Sequence, residues 1–303
     1  MTNRQIQPGY LLALLATIIW SGNFIVARDL NTIYTPVTIS FFRWFVATIV
    51  ILPIAIPSLK RDFKLILKQW RLMLVLSFLG ITVFNTLIYL AAHSTSALNL
   101  SLFAITAPLY VVILNKLIFK ESLSAKQIVG FLILLTGLLT LLSKGNPFAL
   151  LNLEFNTGDL LMAGAASIFA VYSVLVKKKN PAIGNLSFVS ITFLLGILML
   201  VPFFVGEQLQ AASSLHFTQK NIWQFIFIGV GPSVISYYLW NKAIVGIGST
   251  KAATIYNTLP IFSALFAAII LDEKILLIQV ISSIIIVGGV LLVLLGRTSK
   301  GVL

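Results

Sequence analysis

Apolar runs close to twenty residues long alternate with short polar segments along this chain, and the alternation predicts ten helices that cross a membrane. The runs are Gly9 to Val26, Val37 to Ile56, Leu72 to Ala91, Ala97 to Leu114, Ile128 to Leu142, Asp159 to Val176, Leu186 to Val205, Ile222 to Trp240, Ala252 to Leu271 and Ile275 to Leu295. The first run is placed like a signal peptide. Trp20 and Asn23 stand where the small residues of a cleavage site would fall, so it is read as a retained helix. Between the second and third runs, Leu59, Phe63, Ile66, Leu67 and Trp70 recur at helical spacing opposite Lys60, Arg61, Lys64 and Lys68. That pattern predicts a helix lying on the inner leaflet as a topological anchor.

The runs are related to one another. Ala91, Thr106, Pro108, Glu121, Gln127, Gly137 and Leu139 recur as Ala243, Thr258, Pro260, Glu273, Gln279, Gly289 and Leu291, without a gap. At a slightly different offset Gly9, Leu11, Leu12, Trp20, Asn23 and Arg28 face Gly158, Leu160, Leu161, Phe169, Tyr172 and Lys177. The chain therefore divides into a first repeat over residues 1–144, a linker over 145–157 and a second repeat over 158–303. Five helices in each half is an odd number, so the second half enters the membrane in the opposite sense, as an inverted repeat about an axis in the membrane plane. Inversion gives a means of alternating access, because exchanging the packings of the halves turns an inward-open cavity into an outward-open one.

Charge supplies the direction. With the N-terminus inside, the outer loops receive only Arg28, Lys144, Lys220 and Lys274, while the remaining lysines and arginines outside the spans fall on the cytoplasmic side. Both termini are therefore expected in the cytoplasm and the chain in the inner (plasma) membrane as a multi-pass protein. Apolar residues at 59%, charged residues at 10% and a mean hydropathy of +1.03 exclude a soluble domain. The net charge of +13 is scattered in short clusters with no aromatic-rich basic groove, so no nucleic-acid partner is expected. Absence of cysteine removes disulfides, thiol nucleophiles and Cys-ligated metals, and His93 and His216 stand alone, outside any metal-ligand spacing. No cofactor, metal or enzyme motif is indicated. The eight acidic residues fall in loops or at helix ends, which argues for facilitated diffusion or exchange rather than carboxylate-based proton coupling.

Polar side chains within spans are costly unless they face the bundle interior or a wet cavity, so their faces predict where a cavity lies. Thr82, Asn85, Tyr89 and His93 form a stripe on the third helix, and Ser233, Ser236, Tyr237, Trp240 and Asn241 one on the eighth. The substrate-binding set expected from the spans is Trp20, Asn23, Arg43, Asn85, Tyr89, Ser101, Tyr172, Tyr237, Tyr238 and Asn257. Pro108 and Pro260 are expected hinges, since each removes a backbone donor. Arg43 is the one clearly intramembrane charge. It either snorkels or bonds helix carbonyls, or it attracts a substrate carboxylate or phosphate.

The run Trp20-Ser21-Gly22-Asn23-Phe24, the run Phe42-Arg43-Trp44-Phe45 with Ala47, and the two Pro-to-Glu-to-Gly blocks resemble the drug/metabolite transporter superfamily, specifically its EamA-type members, over about residues 9 to 296. The resemblance implies ten helices in an inverted five-plus-five arrangement and export of amino acids or related metabolites. Nucleotides, sugar phosphates or drugs are the alternative cargo, and an intramembrane enzyme or a structural membrane partner is the alternative class. The halves depart from one another at Asn23, replaced by Tyr172, and at Arg43, whose counterpart is near Thr192. Expected partners are a small-molecule substrate and the lipid bilayer, with the chain a monomer or homodimer through small-residue faces such as Ala166 with Ala170 or Ala264 with Ala268.

Overall fold

A computed structural model of the chain describes residues 8–94, 103–104, 106–146, 148, 156–210, 215–271, 275–296 and 299–300. The first half holds α1 (Pro8–Asn31), α2 (Pro36–Lys68), α3 (Trp70–Ser77), α4 (Phe84–Ala92), α5 (Ala107–Phe119) and α6 (Ala125–Leu142). The second holds α7 (Thr157–Leu175), α8 (Asn185–Gln210), α9 (Gln219–Ile228), α10 (Ser236–Ile247), α11 (Ser249–Tyr256), α12 (Leu259–Leu271) and α13 (Leu277–Leu295). A π-helical turn over Phe78–Val83 joins α3 to α4 in one rod, and another over Gly229–Ile235 joins α9 to α10. A two-residue strand β1 (Glu121–Ser122) pairs antiparallel with β2 (Ser299–Lys300). Among the described residues, seven helices are long and apolar enough to cross a membrane, and α5 is a shorter apolar helix.

The recurring polar residues make the helix ends. Gln127 returns its side-chain oxygen to the Ser124 amide at 3.0 Å, and Gln279 does the same to the Leu276 amide at 2.8 Å, so the repeated glutamine opens α6 and α13 alike. The Thr106 hydroxyl donates to the Phe103 carbonyl and the Thr258 hydroxyl to the Ile255 carbonyl, closing a turn before Pro108 and Pro260. Both prolines then occupy the first turn of a helix, where a missing amide costs nothing. They mark breaks between helical pieces rather than kinks within one.

Contacts between helices follow the repeat. α1 packs on α10 as α7 packs on α4, and α5 packs on α7 as α12 packs on α1, while α2 pairs with α8 and α6 with α13. The α2 and α8 pair shows the sense of the duplication. Asp62, near the end of α2, accepts from the Gly184 amide (2.8 Å) and the Ser187 hydroxyl (2.6 Å) at the start of α8. Glu207, near the end of α8, accepts from the Thr35 hydroxyl (2.6 Å) and from the amide and hydroxyl of Thr38 (3.0 Å each) at the start of α2. Each carboxylate caps its partner's N-terminus, where free amides and the helix dipole favour negative charge. The two helices are therefore antiparallel, and equivalent elements of the halves run in opposite senses.

Two features depart from the sequence expectation. The basic segment after Ser58 is the continuation of α2, not a separate helix on the leaflet, and the chain turns only at Gln69. The capping bonds of Asp62, inside this extension and not in a loop, hold it against α8 despite Pro53 and Pro57. Asp62→Asn and Glu207→Gln are each expected to cost about 1–2 kcal/mol in thermal unfolding of the purified protein, the size of a lost cap. Lying at opposite ends of the pair, the two losses should add; an unaltered melting curve in the double variant would remove the caps from the account.

Candidate functional site

The two π-helical turns place the site. With an extra residue in a turn, the i to i−4 ladder is interrupted and carbonyls become available to side chains. The Gly80 carbonyl accepts from the Tyr237 hydroxyl at 2.8 Å and from the Asn85 amide at 3.5 Å. Its counterpart across the repeat, the Pro232 carbonyl, accepts from the Trp20 indole at 2.7 Å and from the Arg43 guanidinium at 3.4 Å. Asn85 and Tyr237, themselves equivalent positions, bond directly to each other at 3.1 Å. The centre of the molecule is thus a pair of matched, unwound turns bridged by a matched pair of side chains.

Beside that centre lies a small cavity lined by Trp20, Asn23, Arg43, Phe84, Asn85, Ile88, Tyr89, Phe169, Tyr237 and Tyr256. Its volume of about 40 Å³ holds a few water molecules, each needing about 10–15 Å³ by the same measure. Trp20 is the aromatic hub. Its ring meets Phe169, Tyr237, Trp240 and Tyr256 edge-on, with centroids 5.2–5.9 Å away.

The cavity is not symmetric. Trp20 and Phe169, like Asn85 and Tyr237, are equivalent pairs with both members in the lining, but Asn23, Arg43, Phe84, Ile88 and Tyr89 of the first half and Tyr256 of the second line it without their counterparts. Tyr172, Thr192, Ser236, Trp240 and Asn241, opposite the first-half five, are fully buried in packing. Tyr172 lies flat against Gly80, where an added Cβ would stand 2.5 Å from its ring, and donates to Asn241 at 2.9 Å. One half encloses space where the other is filled.

Arg43 is 2% exposed. Its Nε donates to the Ser233 hydroxyl at 2.7 Å, one terminal nitrogen to the Tyr89 hydroxyl at 3.1 Å and the other to the Pro232 carbonyl, and its cation lies 5.3 Å from the Trp44 ring centroid. All these partners are neutral. Among the described residues no carboxylate bonds to Arg43.

Of the residues expected from sequence, Trp20, Asn23, Arg43, Asn85, Tyr89 and Tyr237 come together here. Tyr172 packs behind the cavity, and Tyr238 is half-buried outside it, its carbonyl accepting from Asn185 and its ring 5.9 Å from the Lys242 ammonium. Asn257, 1% exposed, sits at the break between α11 and α12 with both amide atoms unpartnered among the described residues. Ser101 lies outside the described residues, as do Asp272 and Glu273. The stripe on the third span is divided: Thr82, within the π-helical turn, donates to the Gly196 carbonyl, and His93 is exposed just past the end of α4. Phe84, Ile88, Phe169 and Tyr256 are lining residues that the expected set omitted. Phe169 was legible as the counterpart of Trp20; the apolar others carry no sequence signal that separates them from packing.

A duplicated, largely apolar helical protein with a central cavity lined by both polar and aromatic side chains is a membrane carrier in architecture. The chain matches the EamA-like transporter family over residues 7–143 and 156–295, and it belongs to that family. It is a membrane transporter. An uncharacterized transporter of Archaeoglobus fulgidus is 27% identical over 289 residues, covering 93% of this chain and 96% of the relative. The uncharacterized transporter YyaM of Bacillus subtilis is 26% identical, covering 93% and 92%. A solved crystal structure superimposes with a TM-score of 0.76 over 94% of this chain and 95% of that one, at 18% identity, and so shares the fold.

Proposed function

We propose that the protein exports small polar or amphipathic metabolites, amino acids foremost, across the inner (plasma) membrane by alternating access through the central cavity. The observation that carries this reading is the offset of the cavity within a matched frame: space beside Asn23 and Tyr89, packing at their counterparts Tyr172 and Asn241. Exchanging the packings of the halves would move that space to the other side of the axis. With ten spans and both termini in the cytoplasm, as the loop charges argue, the enclosed space leans outward and the cytoplasmic side is shut.

The shut side is bonded together. Asn115 on α5 donates to the hydroxyls of Ser249 and Thr250 at 2.9 Å, and Lys177 joins Glu121 at 2.6 Å and Asn115 at 3.2 Å. These bonds link the corner after α5 to the end of α7 and the start of α11, and would part when the cavity opens inward. Among the described residues no carboxylate lines the cavity, which favours facilitated diffusion or exchange over proton coupling.

Counterflow of radiolabelled amino acids into proteoliposomes containing only this protein tests the reading. Trans-stimulated uptake of at least one amino acid without a proton gradient is expected; uptake that collapses with an uncoupler would overturn the coupling, and none across the panel the cargo. Chain orientation is open to direct labelling. Native cysteines are absent, so a single cysteine at the exposed Ile33, between α1 and α2, should react with an impermeant maleimide from outside the cell and be protected from inside.

A further inference from the structure

We infer that Arg43 is the receptor for a substrate carboxylate, and that the Asn23 side-chain oxygen accepts from a substrate N–H, once the cavity, about 40 Å³ here, widens to admit an amino acid. The inference rests on transport through this cavity and names the chemistry of what passes.

A guanidinium has five N–H donors, and Arg43 uses three of them. Each terminal nitrogen makes one bond among the described residues, which leaves one N–H on each, a donor set that a carboxylate can take in bidentate form. Neutral acceptors satisfy the hydrogen bonds of a buried arginine without cancelling its charge. The bonds from Arg43 to Ser233 and Tyr89 hold the head at the cavity wall and leave it without an anionic partner among the described residues, so an anion entering the cavity gains an attraction that packing alone does not give.

The rest of the lining sorts with this. Trp20 and Arg43 share the Pro232 carbonyl, which puts the aromatic wall next to the cation. The Asn23 side-chain oxygen is buried with no partner among the described residues, an acceptor available to a substrate N–H. Both Asn23 and Arg43 are positions where the repeat fails, and the counterparts Tyr172 and Thr192 offer no charge.

Binding, measured apart from transport, tests this. Alanine, leucine and phenylalanine, each with its amide, are titrated against the purified full-length protein while thermal stabilisation and tryptophan fluorescence are followed. In the unaltered protein at least one acid is expected to bind more tightly than its amide by about 30-fold or more, the lower end of the cost of losing one partner of a buried charge pair. In Arg43→Gln that preference should shrink to about twofold, and Arg43→Lys should restore part of it. Equal binding of acid and amide in the unaltered protein overturns the inference without needing any variant to fold, as does a preference surviving in Arg43→Gln, or no binding by any of the six compounds. Counterflow that accepts acids and amides alike would leave transport standing and refute the carboxylate receptor. A carboxylate preference in binding without counterflow would do the reverse.

Discussion

Trp20→Ala is expected to abolish transport and to lower thermal stability by about 3–5 kcal/mol, the cost of truncating a buried tryptophan. The side chain is 8% exposed and joins the halves at the cavity. Its truncation removes four edge-on ring contacts, each worth about 0.5–1.5 kcal/mol. It also deletes the 2.7 Å donor to the Pro232 carbonyl, leaving that acceptor to the longer bond from Arg43. In a bilayer the loss is one of packing and hydrogen bonding, since lipid tails are as apolar as the ring. Trp20→Phe separates the two: it keeps most ring contacts and loses the bond, so it should fold yet transport poorly. Near-normal counterflow in Trp20→Ala would show that the ring cluster is only structural.

Gly289→Leu should prevent stable folding, and Gly289→Ala should destabilise by about 1–3 kcal/mol, the usual cost of overpacking. A Cβ on Gly289 would stand 2.5 Å from the Leu134 amide nitrogen and 2.7 Å from its Cα, so the obstacle is backbone, which rotamer changes cannot relieve. Gly137 meets the Ile286 nitrogen at 2.9 Å in the same way, a milder conflict. The two glycines are equivalent across the repeat and fit the crossing of α6 and α13 from opposite sides. Gly137→Ala should therefore lower the melting temperature in detergent less than Gly289→Ala does. Equal melting of both variants and the unaltered protein would mean the helices can part without loss.

These glycines show why part of the fold was legible. A duplicated residue that is neither Leu nor Ile has been kept twice in the same local geometry, and the structure supplies that geometry: Gln127 and Gln279 close a helix start, Thr106 and Thr258 close a turn, and Gly137 and Gly289 allow a crossing. The site was legible wherever a polar group had to be hidden from lipid, as with Asn23, Arg43, Asn85 and Tyr89. The same rule over-reached at Tyr238, which is amphipathic enough to sit half-buried outside the cavity.

By itself the sequence determined the class of protein, because the lengths of its apolar runs, its duplicated polar positions and its loop charges are each set by local rules of membrane insertion and helix capping. The tertiary structure alone decided the rest. A π-helical turn leaves almost no mark in a sequence, yet its Gly80 and Pro232 carbonyls take the side-chain bonds that tie the halves together. Equally, whether Tyr172 lines a cavity or fills one depends on the missing Cβ of Gly80 in the other half, a contact between residues far apart in the chain that no local pattern encodes.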